Sequence, residues 1–146
     1  MEIHTLKVVV TEKDLNDLAK KHLPKDQPVE ELVFGITAEG VSIRGEYPLF
    51  VPVAFETVWE PSVQDRQVLL RLVKFRAMGM PVTAFKGLIM NIFGTLAKKE
   101  TWVRVEGDCV RLDLEGLLAE EGLPTRANLK KISCEVGSFI VEAGVG

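Results

Sequence analysis

Three short turns set inside alternating apolar sequence constrain this chain more than any other feature. In "LVFGITAEGVSIR", Leu32, Phe34, Ile36 and Ala38 alternate with Val33, Gly35 and Thr37, and Glu39-Gly40 then turns the chain into Val41, Ser42, Ile43 and Arg44. In "TWVRVEGDCVRLDL" (101–114) the turn falls at Gly107-Asp108, with Val103, Val105, Val110, Leu112 and Leu114 inward. In "NLKKISCEVGSFIVEA" it falls around Val136-Gly137, and Leu129, Ile132, Cys134, Phe139 and Val141 supply the apolar side chains. Period-two alternation across a tight turn is a hairpin signal. Three of them predict an antiparallel meander rather than alternating βαβ units. Segments 36–44 and 103–111 share the pattern E-G-x-x-[IV]-R, which reads as common hairpin chemistry.

The remaining elements fit around these hairpins. "EIHTLKVVV" (2–10) reads as a strand with Leu6, Val8 and Val10 on one face. Thr11 and Asp14 mark a helix start, and "EKDLNDLAKKHL" gives a short amphipathic helix with Leu15, Leu18, Ala19 and His22 along its apolar side. Pro48 and Pro52 place the next strand at a sheet edge or a bulge. "QVLLRLVKFRA" (67–77) is the strongest strand, with Val68, Leu70 and Leu72 on one face and Leu69, Val73 and Phe75 on the other. A strand apolar on both faces is covered on both, or meets a partner or ligand. "EGLLAEEG" is a short helical piece before the last hairpin.

Residues 79–99, "GMPVTAFKGLIMNIFGTLAKK", form a long apolar helix. Val82, Phe85, Ile89, Ile92 and Leu96 recur at three- and four-residue spacing, and Leu88, Met90 and Phe93 widen the stripe. Pro81 suits the first turn and Lys98 and Lys99 the last. Lys86 and Asn91 lie well inside, and a central lysine costs roughly 2.5–3.5 kcal/mol on insertion scales, so a membrane span is rejected. Burying seven such side chains contributes on the order of 10–20 kcal/mol before entropy is counted, so a core role accounts for the stripe. Gly87 and Gly94 notch the helix, either for close backbone packing or to leave room for an acyl chain. The fold class is therefore α+β: a curved antiparallel sheet wrapped around one long apolar helix, with a short N-terminal helix, in a single domain over residues 1–146.

Composition removes several function classes. Hydrophobic residues make up 47% and charged residues 27%, which argues for a globular chain rather than a disordered one. The net charge of −3 gives no reason to expect nucleic acid as a partner. His4 and His22 are 18 positions apart and neither belongs to a metal-binding or catalytic spacing. No nucleophile elbow, Walker loop or dinucleotide fingerprint occurs. The expectation is a non-enzymatic protein with no cofactor and no metal. The first residues carry no signal-peptide pattern, so a cytoplasmic location is expected. Cys109 and Cys134 sit in strand-like runs; buried free thiols and a disulfide between neighbouring strands are the two readings.

From about Val29 to Ala143, the strand pair, the two-faced strand, the apolar helix and the hairpins "VRVEGDCVRLDL" and "ISCEVGSFIVEAG" resemble the bacterial LmeA-like branch of the tubular lipid-binding (TULIP) proteins. The resemblance implies a strongly curved sheet around a helix, leaving a groove for phospholipid or another apolar ligand. It assigns that groove to Val68, Leu70 and Leu72 on the strand and to Val82, Phe85, Ile89, Ile92, Phe93 and Leu96 on the helix. Members are commonly exported or membrane-anchored, and this chain shows neither feature.

Charge is unevenly distributed. Residues 62–86 carry Arg66, Arg71, Lys74, Arg76 and Lys86 against Asp65, while residues 106–121 carry six acids against Arg111. A solvated edge accounts for this pattern. Two sharper readings stand beside it: Arg71, Lys74 and Arg76 select a lipid head group at the groove mouth, or the basic edge of one subunit meets the acidic edge of another in a homo-oligomer. A transient contact with a membrane surface is a further expectation, although interfacial helices usually carry more cations than Lys86 alone supplies. The alternative to lipid binding is a structural module that self-associates through a strand edge.

Overall fold

The computed structural model describes residues 5–23, 30–48, 52–77, 82–122 and 127–145. Alternation yields β1 (Thr5–Thr11), β2 (Glu30–Thr37), β3 (Gly40–Tyr47), β4 (Val53–Gln64), β5 (Gln67–Ala77), β6 (Val103–Glu106), β7 (Cys109–Leu112), β8 (Ala127–Glu135) and β9 (Ser138–Val145). Helical periodicity yields α1 (Glu12–His22), α2 (Val82–Lys99) and α3 (Leu114–Glu120). The chain is α+β, and every pairing among the described strands is antiparallel.

Two sheets form rather than one meander. A six-stranded sheet runs β2-β3-β4-β5-β7-β6, and a three-stranded sheet runs β1-β9-β8. The meander holds from β2 to β5 and then breaks. α2 carries the chain past the next position, so β6 becomes the outer edge and β7 returns between it and β5. All three hairpins are present, but the first turns at Ala38-Glu39 with Gly40 already in β3, and the last one pairs with β1.

β4 corrects the reading of the prolines. It lies between β3 and β5, not at an edge; Pro48 follows β3 and Pro52 precedes β4. Pro61 is inside β4, yet β3 pairs only as far as Trp59. Its missing N–H therefore removes no β3 bond. The β4–β5 hairpin also turns without glycine: Asp65 and Arg66 take φ of 52° and 64°. Two successive positive angles define the turn that matches strand twist.

A bulge re-aims β5. Val58 pairs with Lys74 and Trp59 with Leu72, so Val73 is the extra residue. An extra residue inverts the alternation beyond it. Phe75 and Ala77 consequently join Leu70 and Leu72 on the face that packs against α2, while Val73 is left 39% exposed. The assignment of Phe75 to the opposite face is thus overturned.

α1 begins as its residues dictate. The Thr11 hydroxyl accepts from the Asp14 backbone N–H at 3.2 Å, and the Asp14 carboxylate accepts from the Thr11 N–H at 2.9 Å. This reciprocal capping box satisfies two otherwise orphaned donors. Glu12 and Asn16 then bond the edge of β2: Asn16 accepts from Phe34 N–H and donates to the Phe34 carbonyl, both at 2.8 Å, and Glu12 accepts from Ile36 N–H at 2.9 Å. An edge strand that would otherwise expose its donors is covered.

Two apolar clusters result. The larger joins Ile43, Phe55 and Trp59 of the sheet to Ile89, Ile92 and Leu96 of α2, with Trp102, Val103 and Val110. The smaller places Val68 against Leu129, Val141 and Ala143 of the three-stranded sheet. Trp59, at 0% exposure, is the largest fully buried side chain among the described residues. Its indole N–H donates to the Thr57 hydroxyl at 2.9 Å, and that hydroxyl donates to the Ile43 carbonyl at 3.2 Å.

Candidate functional site

α2 buries a narrower stripe than its sequence presents. Ile89, Ile92 and Leu96 are core residues, whereas Leu88, Met90 and Phe93 are only half-buried around them. On the sheet, Leu32, Phe34, Tyr47, Leu70, Leu72 and Phe75 are likewise half-buried against the same cluster. An apolar rim thus surrounds the contact between α2 and the six-stranded sheet. Phe93 meets Trp59 edge to face, with ring centroids 5.2 Å apart and planes at 71°, a favoured aromatic geometry.

The residues assigned to a groove whose side chains are described separate into three groups. Ile89, Ile92 and Leu96 are sealed in the core. Val68 is buried under the three-stranded sheet, and Leu70 touches both clusters. Leu72 and Phe93 belong to the rim. Val82 and Phe85 open α2, but their side chains lie outside the described residues. Sequence reasoning missed Tyr47 and Phe75 as rim residues and Phe55, Thr57 and Trp59 as the floor. The alternation F-x-T-x-W in 55–59 is the signal that marks this floor.

The basic residues occupy other ground. Arg71 pairs with Glu60 at 3.3 Å and Lys74 with Glu39, all four being exposed side chains. Arg76 is exposed and stands opposite Glu56 in register. By alternation and the bulge, all three cations project from the face opposite Leu70, Leu72 and Phe75. Lys86 is different. It shares a helix face with Met90 and Phe93, four and seven residues on, and its ammonium lies 2.8 Å from Asp108 in the β6–β7 turn. The basic and acidic runs of the sequence therefore meet within one chain.

Gly87 and Gly94 do not serve close packing. A Cβ at either position would meet nothing within 4 Å among the described residues. A cleft of about 390 Å³ lies elsewhere, between the two sheets, lined by Ala38, Glu39, Glu60, Pro61, Val73, Lys74, Ile132 and Cys134. Cys109 and Cys134 are both free thiols on strands of different sheets, and burial pushes the Cys134 thiol above its usual range. His4 lies outside the described residues; His22 is mostly buried and stands with Glu100 and Glu120. Among the described residues no helix is long and apolar enough to cross a membrane. No protein-family model matches the chain, and no curated protein sequence matches it.

Proposed function

We propose that this protein is a non-enzymatic binding module of the TULIP type, holding a lipid or another apolar molecule beside α2. One observation carries the reading: an apolar rim of Tyr47, Leu72, Phe75, Leu88, Met90 and Phe93 that the fold leaves half-buried around a closed core. In this reading the six-stranded sheet curves around α2, and the ligand completes the cover that protein side chains leave open. Transfer of that surface out of water supplies the driving force, about 25 cal/mol per Å². No bond is made or broken. An anionic head group would meet Lys86, the cation on the rim's own helix face, in competition with Asp108. Arg71, Lys74 and Arg76 belong to the opposite face and have no part in it.

The test is native mass spectrometry of protein purified without detergent, with organic extraction of any adduct, on the wild type and on Leu72→Trp and Leu88→Trp. Both substitutions fill the rim and spare the sealed core; Ile89→Trp would overpack the core instead. A discrete adduct in the phospholipid or fatty-acid range, lost in folded rim variants, supports the reading. A clean apo mass after incubation with phospholipid vesicles would overturn it. Self-association is favoured by a separate observation: Val8 and Val9 on edge strand β1 are 45% and 58% exposed. That version predicts a dimer insensitive to salt, because the charge pairs of Arg71, Lys74 and Lys86 close within the chain.

A further inference from the structure

The C-terminal ends of the three helices among the described residues bring a potential metal ligand to one point. His22 is the last residue of α1, Glu100 follows the last residue of α2, and Glu120 is the last residue of α3. One ligand atom from each lies within 4.8 Å of the other two. Helix C-termini present unpaired carbonyls and the negative end of the peptide dipoles, so their convergence adds to the field of the carboxylates. That field favours a cation.

The geometry of His22 makes the corner more than a group of acids. Its Nε2 lies 2.8 Å from Glu121 Oε1, a hydrogen bond in which Nε2–H donates. Nδ1 is thereby turned to Glu100, at 3.5 Å from Oε1. That separation is too long for a good hydrogen bond. It is close to the edge, about 3.3–3.4 Å, of a tetrahedron whose ligands stand about 2.0–2.1 Å from a central ion. A carboxylate on the far ring nitrogen is also the usual outer support of a metal-bound imidazole. Trp102 holds the other side: its indole N–H donates to Glu120 Oε2 at 3.0 Å, and its ring meets the imidazole edge to face at 5.3 Å. Lys21 pairs with Glu121 at 2.7 Å.

We propose that His22, Glu100 and Glu120 bind one divalent transition-metal ion, zinc or a chemically similar cation, and so tie the ends of α1, α2 and α3 together. One imidazole nitrogen with two carboxylates suits zinc, cobalt or iron better than magnesium or calcium, which take oxygen alone. The side chains of His22 and Glu100 are 11% and 14% exposed, whereas Glu120 is exposed, so the open side admits the ion and a completing water.

Untagged full-length protein is titrated with zinc chloride by calorimetry, and with cobalt chloride by visible absorption and tryptophan quenching. The expected result is one ion per chain, a cobalt spectrum of nitrogen and oxygen ligation without a thiolate band, and quenching assigned to Trp102. Glu100→Gln and His22→Ala, shown to be folded by circular dichroism, are each expected to weaken binding roughly tenfold or more. The double variant Cys109→Ser, Cys134→Ser is expected to bind unchanged. Absence of saturable uptake by the wild type would overturn the proposal. So would a thiolate band in the cobalt spectrum, or uptake that survives in folded Glu100→Gln and His22→Ala but vanishes without the thiols. The cobalt spectrum reads the ligand set in the wild type, so the test stands even where a variant does not fold.

Discussion

Thr57→Val tests whether the floor of the site is held by its buried hydroxyl. Thr57 and Trp59 are both fully buried, and one hydroxyl serves two partners: it accepts from the Trp59 indole and donates to the Ile43 carbonyl. Valine keeps the shape and removes both bonds. An indole N–H left without an acceptor costs about 1–3 kcal/mol, and the lost bond to Ile43 about 0.5–1.5 kcal/mol. The added methyl offsets about 0.8 kcal/mol. The net expectation is a loss of about 2 kcal/mol, or about 4–8 °C in Tm for a chain of this size. Urea unfolding followed by far-ultraviolet circular dichroism measures it on Thr57→Val, Trp59→Phe and the double variant. Trp59→Phe deletes the donor, so adding Thr57→Val to it strands no N–H. The double variant should be less destabilised than the sum of the singles by about 1 kcal/mol. A single variant within about 0.5 kcal/mol of wild type, the usual scatter of surface changes, would refute the reasoning. An additive cycle would refute it equally.

Glycine substitutions should divide sharply by place. A Cβ on Gly40 would overlap the Trp59 carbonyl oxygen, so Gly40→Ala is expected to cost about 3 kcal/mol or more in chemical denaturation. Gly87→Ala with Gly94→Ala should instead stabilise by about 1–2 kcal/mol and leave ligand uptake unchanged; loss of uptake would restore the notches to the site. Arg66→Gly should raise stability by about 1 kcal/mol by relieving a left-handed residue, read as a higher urea midpoint at unchanged slope. Hydrogen bonds from Lys21 and then His22 hold the Glu121 carboxyl below its usual 4.5. A depressed acid stabilises fully above the unfolded value and loses that contribution as the pH falls through the folded one. Glu121→Gln should therefore differ from wild type at neutral pH and converge with it below about pH 4.5. A gap of constant size between pH 7 and pH 3 would exclude this pairing.

The elements legible in the sequence were those whose own residues decide them. Thr11 and Asp14 cap α1 whatever lies beyond, and Gly107-Asp108 and Val136-Gly137 turn as local chemistry requires. The β4–β5 hairpin escaped notice because Asp65-Arg66 adopts positive angles without the glycine that usually announces them. The shared E-G-x-x-[IV]-R pattern misled in detail. Gly107 sits in its turn at φ 58°, whereas Gly40 opens β3 at φ 154°, one step further along its hairpin. Similar letters therefore fold into offset turns, although Ile43 and Val110 both reach the same core. Strand order beyond β5 was not legible. It depends on where α2 delivers β6, and no residue within β6 or β7 records that.

The bulge at Val73 joins the fold to the chemistry of the rim. Without the extra residue, strict alternation would place Lys74 and Arg76 on the face of Leu70 and Leu72, beside α2, and send Phe75 away from it. With it, Phe75 extends the apolar rim and the cations turn outward to Glu39 and to the strand position of Glu56. One inserted residue thus separates an apolar face from a charged one on the same strand. A cation against the half-buried rim would lose solvation, so the bulge also removes a cost of burial. Lys86, on the helix face of Met90 and Phe93, is held by Asp108 at 2.8 Å. In the proposed binding reading an anionic head group would compete with that ion pair, so affinity would depend on apolar area far more than on head-group charge. In the proposed function the ligand is therefore expected to be a long hydrocarbon with a small or neutral polar end.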